Sequence, residues 1–116
     1  MKKSLTILIL FISTSVWAGE CTEEFSWLPN SESNLAGYKI YYGIEDGVYL
    51  NHVDVGKPAT IEGRVNGTVT GLDCGQPYYF VCVAYNFYQT PSEYSEAVFI
   101  ESVGRLKAPQ DFRILK

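Results

Sequence analysis

The sequence predicts an all-β chain, and three observations carry that reading. Proline, glycine, asparagine and serine clusters divide it into many short runs rich in β-branched and aromatic residues. Nowhere do apolar residues recur at helical spacing over a long stretch. The clearest run, GLDCGQPYYFVCVAYN over residues 71–86, has a turn at Asp73-Cys74-Gly75 and then alternates. As a strand it sends Tyr78, Phe80, Cys82 and Ala84 one way, and Tyr79, Val81, Val83 and Tyr85 the other. Both sides are largely apolar or aromatic, so this strand is expected mid-sheet with a neighbour at each edge.

The chain of 116 residues fits one small domain. Residues 1–18 read as a secretory signal peptide: Lys2 and Lys3, an apolar run from Leu5 to Ile12, then Val16-Trp17-Ala18 with small residues at the cleavage position. That run is short for a membrane anchor, and an anchor retained at the amino terminus is the alternative. Glu20 precedes Cys21 where lipid attachment needs a small residue, which argues against a lipoprotein. No later apolar run is long enough to span a membrane, so the domain is expected over residues 19–102, exported to a periplasm or secreted. Such a length buries a modest core, and a covalent staple helps it.

Charge separates the body from the tail. Without Lys2 and Lys3, seven basic residues face thirteen acidic ones, a net charge of −6. Residues 19–104 hold three basic and twelve acidic side chains, or −9, whereas residues 105–116 hold four basic and one acidic, or +3. The acidic body excludes nucleic acid and anionic membranes as natural partners.

The first strand of the body is expected over residues 22–28, with Phe25 and Trp27 on one face. Residues 29–37 form a polar loop in which Leu35 plugs the end of the domain. Residues 38–42 make the next strand, with Tyr38, Ile40 and Tyr42 inward and Lys39 and Tyr41 outward. A turn over residues 43–47 leads to a strand over residues 48–55. Asn66-Gly67 between Val65 and Thr68 carries the signal of a tight hairpin turn, with a strand over residues 68–72 beyond it. After the central strand, residues 86–93 form a loop bearing Phe87 and Tyr88, and residues 94–102 form the last strand.

In this order the features resemble a fibronectin type III domain. Trp27 stands where that family has its core tryptophan, and LAGYKIYYG over residues 35–43 looks like its third strand. Gly71-Leu72, Gly75 and Tyr78 look like its tyrosine corner, in which the phenol bonds to backbone just upstream. Ala84-Tyr85-Asn86 and residues 92–98 extend the match, which covers residues 22–102. The resemblance implies a two-sheet antiparallel sandwich. Two departures stand out: too few residues precede Trp27 for the usual first strand, and residues 57–65 look long enough for an added edge hairpin.

Three cysteines in an exported chain allow one disulfide and a spare thiol. Cys74 and Cys82 lie eight apart along extended chain, too far for a bridge. In the implied topology Cys21 and Cys74 share a pole, so that pair is expected, with Cys82 a buried apolar thiol. Three free thiols are the alternative.

No catalytic constellation emerges, and no cofactor is implied. His52 is the single histidine and sits in an alternating strand. Glu23-Glu24 and Glu45-Asp46 are sequence neighbours, which point apart along a strand. Neither a nucleophile elbow, a phosphate-cradling glycine loop nor a calcium-loop spacing is present. The chain is therefore expected to bind rather than catalyse.

Two surfaces are candidates for that binding. Tyr41, Tyr79, Val81, Val83 and Tyr85 form one apolar outward face: a contact patch, a layer covered by the added hairpin over residues 57–65, or ordinary β-branched residues of a central strand. Phe87 and Tyr88 either present rings to a carbohydrate or protein, or fold back over the domain end. The tail over residues 103–116 adds a third feature. Its Ala108-Pro109, Phe112, Ile114 and Leu115 look like the opening strand of a further fibronectin type III module. It can add to the edge of another subunit or partner, lie along the first strand of its own body, or remain disordered. The first expectation for function is protein binding or assembly, and the second is carbohydrate binding.

Overall fold

The computed structural model describes residues 19–115; the signal-peptide reading of residues 1–18 lies outside the described residues. Six strands follow in order: β1 (Glu20–Trp27), β2 (Leu35–Gly43), β3 (Asn51–Gly56), β4 (Val65–Asp73), β5 (Tyr78–Asn86) and β6 (Val98–Ile100). No helix occurs among the described residues. One sheet pairs β1 with β4, and the other has the order β3-β2-β5-β6; every pairing is antiparallel. The two sheets form a sandwich consistent with the fibronectin type III-like class. No strand precedes β1 among the described residues, so β1 has a partner on one side only.

Period-two side-chain alternation explains the core. From β1, Phe25 and Trp27 pack on the core, and from β2, Tyr38 and Ile40 are buried. β4 adds Val65, Val69 and Leu72, and β5 adds Tyr78 and Phe80. Aromatic pairs lock the layers: Phe25 meets Phe80 at 4.7 Å between ring centroids, and Trp27 meets Tyr38 edge-on at 5.3 Å. Leu35 is buried as expected, but as the first residue of β2 rather than in a loop.

Several boundaries differ from the sequence expectation. Asn66-Gly67 is not a turn; both residues lie inside β4, opposite Ser26 and Phe25. Gly67 is needed there because a Cβ would stand 2.8 Å from the Trp27 ring. The turn is at Glu62-Gly63, where φ is 52° and 79° and a bridge joins Ile61 to Arg64. This short turn takes the place of the long edge hairpin expected over residues 57–65. β3 begins at Asn51 rather than 48, because Val48 bridges back to Glu45 in the preceding turn.

The last strand is shorter than expected for a specific reason. Residues before β6 follow β5 through two serines instead of a regular ladder. Ser92 and Ser95 donate their N–H groups to Ala84 O and Cys82 O, while their hydroxyls accept from Ala84 N and Cys82 N. Each serine thus satisfies one β5 residue twice, and the edge strand proper is left with three residues.

The pole below β5 is tied covalently. Cys21 and Cys74 are bridged, with Cα atoms 5.1 Å apart, and Cys82 is the free thiol. The Tyr78 hydroxyl accepts a hydrogen bond from Asp73 N at 3.0 Å, bracing the turn between β4 and β5. Val103, beyond β6, is buried at the same pole and exchanges backbone hydrogen bonds with Gly75 and Gln76.

The bridge closes a loop of 53 residues, so Cys21→Ser/Cys74→Ser is expected to lower stability by about 4 kcal/mol. Denaturant midpoints of the two proteins check this, and equal midpoints would contradict it. Tyr78→Phe leaves Asp73 N without its partner and is expected to cost about 1 kcal/mol in the same titration.

Candidate functional site

The unpaired side of β1 opens onto a seam between the two sheets. Along a strand, successive residues direct their N–H and C=O groups to opposite edges, so every second residue of β1 faces away from β4. No other backbone segment bonds to those groups among the described residues. One contact reaches the end of the strand: the Arg64 guanidinium donates to Ser26 Oγ at 2.9 Å and to Ser26 O at 3.1 Å.

Beside that edge lies a cleft of about 240 Å³ whose wall includes Phe25, Trp27, Ile40, Phe80, Cys82 and Val98. It exists because β6 is short and the serine-tracked segment before it stands off the small sheet. The Trp27 indole Nε1 is buried and has no acceptor among the described residues. Burial of the Cys82 thiol raises its pKa from 9.0 to about 11. It is therefore a neutral thiol at ordinary pH, although only partly buried where the sequence suggested full burial.

The opposite face of the large sheet is an aromatic cover rather than an open patch. Val81 and Val83, expected on an exposed surface, are only 4% and 3% exposed. Their cross-strand neighbours are the long side chains Tyr41 and Lys39, which shield them. Tyr41 stacks on His52 at 5.0 Å and meets Tyr94 at 5.9 Å, and Tyr94 meets Tyr49 at 5.2 Å. Tyr79 packs on Phe99 at 4.7 Å. The Tyr85 hydroxyl donates to both Asp54 oxygens, at 2.9 and 3.0 Å, while the Lys39 ammonium lies 5.1 Å from the ring centroid. That hydrogen bond to the Asp54 carboxylate raises the Tyr85 pKa above its ordinary value. The five residues thus come together, but as a covering layer in which the two valines are inaccessible.

Phe87 and Tyr88 stand apart from both faces. Asn86 Oδ1 accepts from Tyr88 N and Thr90 N, and Gln89 takes a positive φ of 66°. This small hydrogen-bonded turn holds the rings outward, 66% and 84% exposed. Next to it is a cleft of about 280 Å³ whose border includes Asn30, Asn34 and Asn86 along with Leu35, Ala84 and Pro91. Glu32 at its rim has its pKa lowered by a backbone hydrogen bond and by the Asn30 amide, so it is ionised there.

The tail leaves the body at the disulfide pole. Gly104 N donates to Glu23 Oε2 at 2.9 Å, and Gly104 lies so close to Cys21 Sγ that a Cβ would collide with it. Arg105 N donates to Ser102 O, closing a turn. Beyond it Phe112, Ile114 and Leu115 are 91%, 77% and 94% exposed. No hydrogen bond joins residues 106–115 to the body; the Arg113–Asp111 ion pair is internal to the tail.

No group of three or more metal-ligating side chains converges among the described residues. That β1 is paired on one side only among the described residues agrees with the few residues expected between the signal peptide and Trp27, but the apolar cleft beside it was not legible. Cys82 and Trp27 each looked like ordinary core residues. No family model, curated protein or solved structure matches the chain.

Alkylation of Cys82 is expected to accelerate beyond pH 9, because burial favours the protonated thiol and delays thiolate formation until about pH 11. A rate that levels off near pH 9 would contradict its burial. Gly67→Ala forces a Cβ against Trp27 and is expected to lower stability by about 1–3 kcal/mol in thermal or denaturant melts.

Proposed function

We propose that this chain is an exported, non-catalytic β-sandwich module that binds protein through the free edge of β1. The observation that carries this reading is the conjunction of an unpaired strand edge and an adjoining apolar cleft. An added strand satisfies the edge's N–H and C=O groups, and its alternate side chains enter the cleft. Natural sheets generally protect such edges with charge, proline or cover. Here the outward face of β1 carries Glu20 and Glu24, but the side towards the seam is apolar.

The features that resemble a fibronectin type III domain support the same reading, since no strand occupies this edge among the described residues. Export is supported by the amino-terminal lysines and apolar run, and the Cys21–Cys74 bridge suits an oxidising compartment.

Photo-crosslinking in cells that export the protein tests it. A photoreactive residue replacing Glu24, on β1, or Glu96, at the cleft rim, is expected to give adducts to protein. The same residue replacing Asp46, in the turn after β2, is expected to give none. Absence of protein adducts at both rim positions would contradict protein binding there.

A second reading, carbohydrate binding, is favoured by the exposed Phe87 and Tyr88 rings beside a cleft edged by three asparagines. Aromatic faces and amides are the groups that hold sugar rings. Polysaccharide pull-down that is lost in Phe87→Ala/Tyr88→Ala supports this reading; no retention on any polysaccharide rejects it.

A further inference from the structure

We propose that the occupant of the β1 edge is the carboxy-terminal segment of a second copy of this chain. This inference rests on the reading of that edge as a protein-binding edge and names its partner. The segment has what the edge lacks. It is exposed, and its backbone makes no hydrogen bond to the body; it bends at Gln110-Asp111, where Asp111 has a φ of 58°, and is free of bends over residues 112–115. Once straightened at that bend, residues 107–115 are long enough to run beside the eight residues of β1, which span about 26 Å at about 3.3 Å per residue.

Side-chain spacing fits as well. Phe112 and Ile114 fall on one side of an extended tail, with Arg113 and Leu115 on the other. An i, i+2 apolar pair is what a strand needs to close a cleft walled by Phe25, Phe80 and Val98. Pro109 sits where the added strand would begin, a position that tolerates proline.

Charge selects the same partner. The tail from Arg105 onward carries a net +3, and the rest of the body carries −9. Glu20 and Glu24 lie on β1, and Glu96 stands at the cleft. A basic segment approaching that seam is attracted, and the attraction weakens as salt rises.

Geometry disfavours the chain's own tail. It emerges beside Cys21 and Glu23, where β1 begins. Continuing along β1 from there it would run parallel to that strand, whereas every strand pair in the protein is antiparallel. The turn at Ser102–Arg105 also precedes any such course. A segment from another molecule has no such restriction and can enter antiparallel. Donation between copies gives either an exchanged pair or an open chain.

Light scattering of the exported full chain over a concentration series tests the proposal. The mass is expected to rise to two copies or more. Phe112→Asp/Ile114→Asp is expected to remain at one copy and to melt where the unaltered chain melts at its lowest, dissociated concentration, since those side chains are exposed within one copy. That variant should then bind a synthetic peptide of residues 106–116, and not the peptide carrying the same two aspartates. A third arm uses Cys82 in the cleft wall: Ile114→Cys under mild oxidation should give a two-chain species joined through Cys82, lost in the Cys82→Ser background.

A one-copy mass for the unaltered chain at every concentration overturns the proposal. Association that survives the two aspartates, failure of the peptide to bind, or a link formed within one chain does the same. Rim adducts to a different protein, with a one-copy mass throughout, would reject self-recognition and leave the protein-binding reading intact. Absence of any protein adduct would remove both.

Discussion

Phe25 and Trp27 hold the two-stranded sheet onto the four-stranded one, and the rest of the architecture depends on that contact. Both lie on β1 and point inward, where Phe25 packs on Phe80 and Trp27 packs on Tyr38. In a usual sandwich a strand beside β1 would seal their flank. Here that flank faces the seam, so the side chains that anchor the small sheet also form the wall of the cleft. Stability and the proposed strand binding therefore draw on the same residues. A binding strand would extend the core rather than attach to a separate surface.

The disulfide pole compensates for a small sheet with a single strand pair. Cys21 fixes the start of β1 to the turn after β4, and Tyr78 braces that turn through Asp73. Val103 then closes the end of the core, and Gly104 passes close to the bridge with its N–H held by Glu23. One consequence is that the beginning of β1 and the departure of the tail lie side by side. The position at which the tail leaves is thus set by packing, and its direction relative to β1 follows.

Much of this was legible from residue spacing. Alternation placed Tyr38 and Ile40 inward and identified β5 as an inner strand, because burial on a strand has a period of two. The pairing of Cys21 with Cys74 followed from the topology that the resemblance implied. Local turn chemistry misled at Asn66-Gly67. That glycine serves a cross-strand need, room for Trp27, which no short window of sequence reveals. The actual turn uses Glu62 at positive φ, a residue type with little turn signal. Val81 and Val83 are buried beside cross-strand neighbours distant in the sequence, Tyr41 and Lys39, which period-two alternation alone does not reveal. The cleft was hidden for a related reason: it is created by the shortness of β6, which depends on Ser92 and Ser95 replacing ladder bonds.

Amide hydrogen exchange along β1 tests the central claim most directly. In dilute solution the residues bonded to β4 should be protected, while the alternate residues facing the seam exchange much faster. When the edge is occupied, the fast set alone should slow. Uniform protection of β1 in dilute monomer would contradict the account, because it would mean that the edge is already covered by the chain itself.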